Sequence, residues 1–138
     1  MDTFSVTTLD FAKVYGVYIL VTGLAGLFAP DRWKQVMDDY ARSPGLTYLT
    51  AVIVFGLGLV LVTLHNLWTD PLAIIVSLIG WVFLIEGIAL TALPEALLKF
   101  GAAAVASHGR VRIWAIFALV GGLLLLLAAF TSRASVGL

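Results

Sequence analysis

The sequence predicts an all-α integral membrane protein: a four-transmembrane-helix bundle made of two parallel helix–loop–helix repeats, with short interfacial helices in loops one and three. Three observations predict it: an apolar composition, four long hydrophobic runs, and a self-match at a single offset. Of 138 residues, 62% are hydrophobic and only 12% charged, against roughly 45–50% and about 25% in ordinary soluble domains. So short a chain has room for one small domain, residues 1–138. Its interior could not hide that much apolar surface from water. Lipid removes the difficulty by solvating it.

The formal net charge is zero, which suggests neither nucleic acid nor an acidic substrate as partner. Cysteine is absent, which excludes disulfides, thiolate metal sites and cysteine nucleophiles. The first ten residues carry Asp2 and Asp10 but no basic cluster. They do not read as a cleavable leader, so the first hydrophobic run is expected to remain as a span.

A helix needs about 20 mainly apolar residues to cross a hydrocarbon core of roughly 30 Å. Residues 11–29, 49–68, 72–93 and 113–130 qualify. The runs lack the alternation of barrel strands, so helices are expected. Asp70 and Pro71 open the third span with a cap and a first-turn proline.

Loop one (residues 30–48) carries Arg32, Lys34 and Arg42, and loop three (94–112) carries Lys99, Arg110 and Arg112. The middle loop has no Lys or Arg, and elsewhere only Lys13 and Arg133 remain. This bias predicts loops one and three in the cytoplasm and both termini outside. Within loop one, Trp33, Val36, Met37 and Tyr40 form an apolar stripe at helical spacing, opposite Arg32, Lys34, Gln35, Asp38, Asp39 and Arg42. The pattern predicts an amphipathic interfacial helix with Trp33 and Tyr40 at headgroup level. A less polar helix is expected in loop three.

Sliding the chain by 64 residues, the spacing from Gly58 to Gly122, aligns it with itself without a gap. Gly16 falls on Gly80, Leu20 on Leu84, Gly23 on Gly87, Ala25 on Ala89 and Pro30 on Pro94. Ser43 falls on Ser107, Gly45 on Gly109, Ala51 on Ala115, and Asp31 on Glu95. Repeat one covers about 11–68 and repeat two about 72–130. Each half has two spans, so the halves are parallel about an axis along the membrane normal. Small residues at four-residue spacing, Thr22/Gly26, Gly87/Thr91 and Ala118/Gly122, together with Gly23 and Gly58, are candidate sites of close helix contact.

Glu86 is the one costly residue. It lies about seven residues inside the third span, roughly 10 Å deep at 1.5 Å per residue, where an ionisable group is a functional candidate by default. Its repeat equivalent is Thr22, and that of Arg112 is Tyr48. Arg112 opens the fourth span and has a long stem. An intramembrane Glu86–Arg112 pair is therefore expected to tie the two helices of the second half, with a weaker Thr22–Tyr48 contact in the first.

His65 and His108 sit near opposite surfaces and read as loop histidines that cannot share a metal. Asp38 and Asp39 read as surface charge, and Trp81 as packing or lipid contact. No Ser/His/Asp arrangement, phosphate loop or carboxylate dyad is apparent, so no enzymatic activity, cofactor or metal is expected.

The second half reads Leu-Ile-Glu-Gly-Ile from Leu84, then Pro94, a basic-tinged loop, Arg112 and a leucine-rich span with Gly121-Gly122. This resembles the YjeT-type family of small bacterial inner-membrane proteins through Glu86, Gly87, Pro94, Arg112 and Gly122. The first half keeps Gly23, Pro30 and Gly58 but departs at Thr22 and Tyr48, like a diverged copy. The resemblance implies a bacterial inner-membrane location and no known chemistry. DoxX-like four-helix membrane proteins are more loosely similar. The expected function is a non-enzymatic accessory or scaffold protein that binds partner proteins or lipids. The alternative is a small proton-coupled transporter or channel acting as a homo-oligomer through Glu86.

Overall fold

The computed structural model describes residues 2–136, with the side chains of residues 8–131. Asp2 and Arg133, both counted in the charge pattern, lie outside the described side chains. Six helices follow one another: α1 (Asp2–Phe28), α2 (Pro30–Arg42), α3 (Pro44–Leu64), α4 (Pro71–Ala92), α5 (Pro94–Ala104) and α6 (His108–Val136). Four stretches are long and apolar enough to cross a membrane: Thr8–Phe28, Pro44–Leu64, Pro71–Ala92 and His108–Thr131. The chain is an all-helical, four-span integral membrane protein.

Local chemistry sets where the helices begin. Pro30, Pro44, Pro71 and Pro94 each open a helix, where a missing N–H costs nothing. Ser43 Oγ accepts from the Leu46 N–H at 3.3 Å, and Ser107 Oγ from the Arg110 N–H at 3.2 Å. Asp70 accepts from the Ala73 N–H at 2.9 Å. These caps start α3 and α6 before residues 49 and 113, where hydropathy alone would begin the spans. The third cap starts α4 at the expected place. At the middle turn, α3 stops at Leu64 and His65 folds back extended. Single residues, Ala29 and Leu93, link α1 to α2 and α4 to α5 with nearly equal backbone angles: φ −139°, ψ 67° and φ −134°, ψ 56°. These corners and the two serine caps are repeat equivalents.

The spans pair across the repeats rather than within them. The two large interfaces are α1 with α6 and α3 with α4, joined by a smaller contact between α1 and α4. The contacts keep the repeat register. Gly58 lies against the Leu84 backbone, and Gly122 against the Leu20 backbone, 2.7 Å from a Cβ built on it. Gly87 lies against Phe55, and Gly23 against Leu119 and the Ala115 carbonyl. Gly80 and Gly16 meet Val62 and Leu126. The closest glycine contacts of one pair thus recur at equivalent positions in the other. Met37 and Gly101 are themselves equivalents and touch each other where α2 meets α5, which places them beside the pseudo-twofold axis.

Lipid tails are as apolar as leucine, so helix pairs in a membrane are held by close packing. Glycine permits that approach. Hydroxyl groups on exposed faces cause no difficulty, because Thr22, Thr63 and Thr91 each donate to the carbonyl one turn earlier, at 2.7–2.8 Å. Gly58→Leu or Gly122→Leu should force backbones apart and cost about 1–3 kcal/mol or more, read as unfolding in detergent. Gly121→Ala, where an added Cβ meets nothing within 4 Å, should leave stability unchanged or raise it by up to about 1 kcal/mol. Equal effects at both kinds of site would contradict the packing described.

Candidate functional site

At one end of the spans Leu9, Ala12, Tyr15, Val76, Leu125 and Ala129 form the buried core. At the other end α2 and α5 pack on the spans and on each other, and two half-open cavities lie beside them. One, about 470 Å³, lies between α2, α3, α4 and α5 and is lined by Met37, Tyr40, Thr50, Val82, Ile85, Glu86, Ala89, Leu90, Leu97, Leu98, Phe100 and Gly101. The other, about 280 Å³, is lined by Thr22, Gly23, Gly26, Trp33, Val105, Val111, Trp114, Ala115 and Ala118.

The two cavities are repeat equivalents with different contents. Glu86 in one stands where Thr22 stands in the other, Thr50 where Trp114 stands, Leu90 where Gly26 stands, and Leu97 where Trp33 stands. Gly26 leaves room for the Trp33 indole, whose Nε1 is 3.4 Å from a Cβ built on that glycine. In the larger cavity Thr50 donates to the Tyr40 hydroxyl at 3.4 Å. Glu86 is accordingly a carboxyl in a mainly apolar groove, accompanied by two hydroxyl groups and the rings of Tyr40 and Phe100.

The expected Glu86–Arg112 pair is not formed. Helix α6 packs on α1 and α2, not on α4, so the two residues stand on spans that do not face each other. Among the described residues the ion pairs are Lys13–Asp10 and Asp31–His108. Thr22 and Tyr48 do not meet either, for the same reason. The Thr22 hydroxyl donates to the Tyr18 carbonyl, and Tyr48 is exposed on α3. On α2, Trp33, Met37 and Tyr40 are half-buried and line the two cavities. Arg32, Lys34, Asp38, Asp39 and Arg42 are exposed on the other face.

His65 lies in the turn between α3 and α4, as expected of a loop histidine, and is buried there at 3% exposure. The Leu67 N–H donates to Ser77 Oγ at 2.9 Å, and that hydroxyl donates back to the Leu67 carbonyl at 2.7 Å. His65 Nδ1–H must therefore donate to Ser77 Oγ, at 3.1 Å, leaving Nε2 to accept from the Thr8 hydroxyl at 2.8 Å. Phe11 meets the imidazole edge-on at 5.6 Å. The cluster ties α1, the α3–α4 turn and α4 together. Nothing in single-residue hydropathy marks Thr8 or Ser77, although Ser77 is a polar interruption of an otherwise apolar run. Nearby, Trp68 and Trp81 both donate to Asn66 Oδ1, at 2.8 and 3.2 Å.

Compared with known protein families, with characterised proteins and with solved structures, the chain matches none.

Two tests follow from this geometry. Burial holds the His65 imidazole below its usual value, against smaller opposing pulls from a backbone group and Asp70. The unfolded chain thus binds the proton first, and stability is complete above about pH 6.5 and falls as pH drops from there toward the lowered value. Melting midpoints in detergent should be level above about pH 7 and decline below about 6.5. His65→Gln should remove that decline, and a decline unchanged in the variant would assign it to other groups. Glu86→Gln and Arg112→Ala should be additive in stability to within about 0.5 kcal/mol. A larger coupling would restore the pair.

Proposed function

We propose that the protein is a non-enzymatic membrane component, an accessory or scaffold protein that takes up amphiphilic molecules from the bilayer in its paired grooves. The observation behind this is a pair of half-open cavities that share four equivalent lining positions: 22 and 86, 26 and 90, 33 and 97, 114 and 50. Both cavities are lined mainly by apolar side chains, as small-molecule sites commonly are, with a few polar groups to fix orientation. Neither runs between the two helix pairs as a pore. Partner membrane proteins would meet the outer faces of α3 and α6, where Leu49, Val52, Val60, Phe117 and Leu124 are exposed.

The proposed setting is a bacterial inner membrane, as the resemblance of the second half to the YjeT-type family implies. The exposed Arg32, Lys34, Arg42, Lys99, Arg110 and Arg112 would face the cytoplasm, with α2 and α5 at that surface and the termini outside. Glu86, with no ion pair among the described residues, favours one second reading: an oligomeric transporter in which its carboxyl carries a proton. That alternative requires a pH-dependent flux that Glu86→Gln abolishes.

Native mass spectrometry of protein extracted from its own membranes in a mild polymer tests the binding reading. Small amphiphiles or lipids should be retained in defined number. Ala89→Phe and Ala118→Phe, each filling one groove, should each lower that number. Unchanged occupancy in both variants would sink the groove as a binding site, and a stoichiometric protein in place of lipid would move the function to scaffolding.

A further inference from the structure

We infer that the Glu86 groove, unlike its Thr22 counterpart, is a site for a lipophilic organic cation: a protonated amine or quaternary ammonium on an apolar body. The inference rests on the reading of the grooves as ligand sites and names what one of them selects. The groove contains a carboxyl but no Lys or Arg, and among the described residues no cation pairs with Glu86. When ionised, the carboxyl has no counter-charge among the described residues, and a bound cation would supply one.

Three features narrow its chemistry. The lining is apolar apart from Glu86, Tyr40 and Thr50, too few oxygens to replace the shell of an inorganic cation, which needs six or more. The Tyr40 and Phe100 rings add the aromatic faces that attract ammonium groups. The volume, about 470 Å³, falls in the range of roughly 300–1,000 Å³ typical of small-molecule sites. A zwitterionic lipid headgroup fits less well, because its phosphate would enter a groove with no basic residue to receive it. A monocation brings one charge for one carboxylate. Its apolar body covers the groove walls and keeps the pair from water, and away from water opposite charges attract more strongly. The Thr22 groove has two indole-bearing residues, Trp33 and Trp114, but no charge, so it lacks the feature that would select a cation.

The test uses the full chain in detergent micelles and a matched pair of fluorescent probes: trimethylammonium-diphenylhexatriene and its uncharged parent, diphenylhexatriene. Energy transfer from the protein's tryptophans reads binding, with non-saturable partitioning subtracted. The cationic probe should saturate at one high-affinity site per chain. Glu86→Gln should weaken it about tenfold or more, and Tyr40→Leu about threefold or more, while neither changes the neutral probe. Glu86→Asp, which keeps the charge, should retain most of the affinity. Helicity and melting midpoint confirm that each variant is folded. Cation binding that survives Glu86→Gln, or a loss that is equal for both probes, would overturn cation selection and leave the groove as a general apolar site. Failure of both probes to saturate on the wild-type chain would overturn the ligand-site reading itself.

Discussion

The closeness of helix backbones at Gly23, Gly58, Gly87 and Gly122 governs the rest of the molecule. Within hydrocarbon no hydrophobic force gathers the spans, and what holds them is contact that side chains would prevent. These four glycines pair α1 with α6 and α3 with α4. Each repeat therefore gives its first span to the other repeat's second. Neither repeat has a glycine-faced partner inside itself, and the fold is built as an interlocked pair. The pseudo-twofold axis follows, with Met37 on Gly101 beside it.

That pairing leaves the two ends unlike. At one end α1 and α4 meet, and the hydrogen-bonded cluster of Thr8, His65, Ser77 and Leu67 joins them to the turn after α3. The repeat equivalent of His65 is Ala129, fully buried in the core, so the fastening exists once rather than twice. A fully satisfied polar cluster of this kind sets one arrangement of helices, since any other would bury a donor or acceptor without a partner. At the other end α2 and α5 pack on the spans and on each other.

The two grooves carry different side chains at equivalent positions. The scaffold is common: a first-span wall, an amphipathic helix, and the start of a second span. The contents are not. Glycine and two tryptophans furnish one groove, while a carboxyl, two hydroxyls and leucines furnish the other. One fold thus presents two chemistries, and the carboxyl of the second forms no ion pair among the described residues.

Some of this is determined by sequence alone. The spans, the loop helices and the repeat are legible because hydropathy, helical periodicity and Pro, Ser and Gly punctuation act within a few residues of where they stand. Glu86 is conspicuous for the same reason: one ionisable residue in an apolar run. The partners of those elements are another matter. An Arg112 at the head of the next span looks like the natural counter-charge for Glu86, and nothing in the chain order shows that the loop residue His65 is buried and hydrogen-bonded. Which helix faces which depends on backbone approach between residues far apart in the chain. Leu20 against Gly122 and Leu84 against Gly58 put α6 on α1 and α3 on α4. That choice separates Glu86 from Arg112, places Glu86 beside Tyr40 and Thr50, and brings Thr8 and Ser77 onto His65. Sequence determined the helices, their duplication and the unusual carboxyl. The tertiary structure decided the carboxyl's neighbours, because in lipid the association of helices depends on contact geometry and not on the hydropathy that sequence displays.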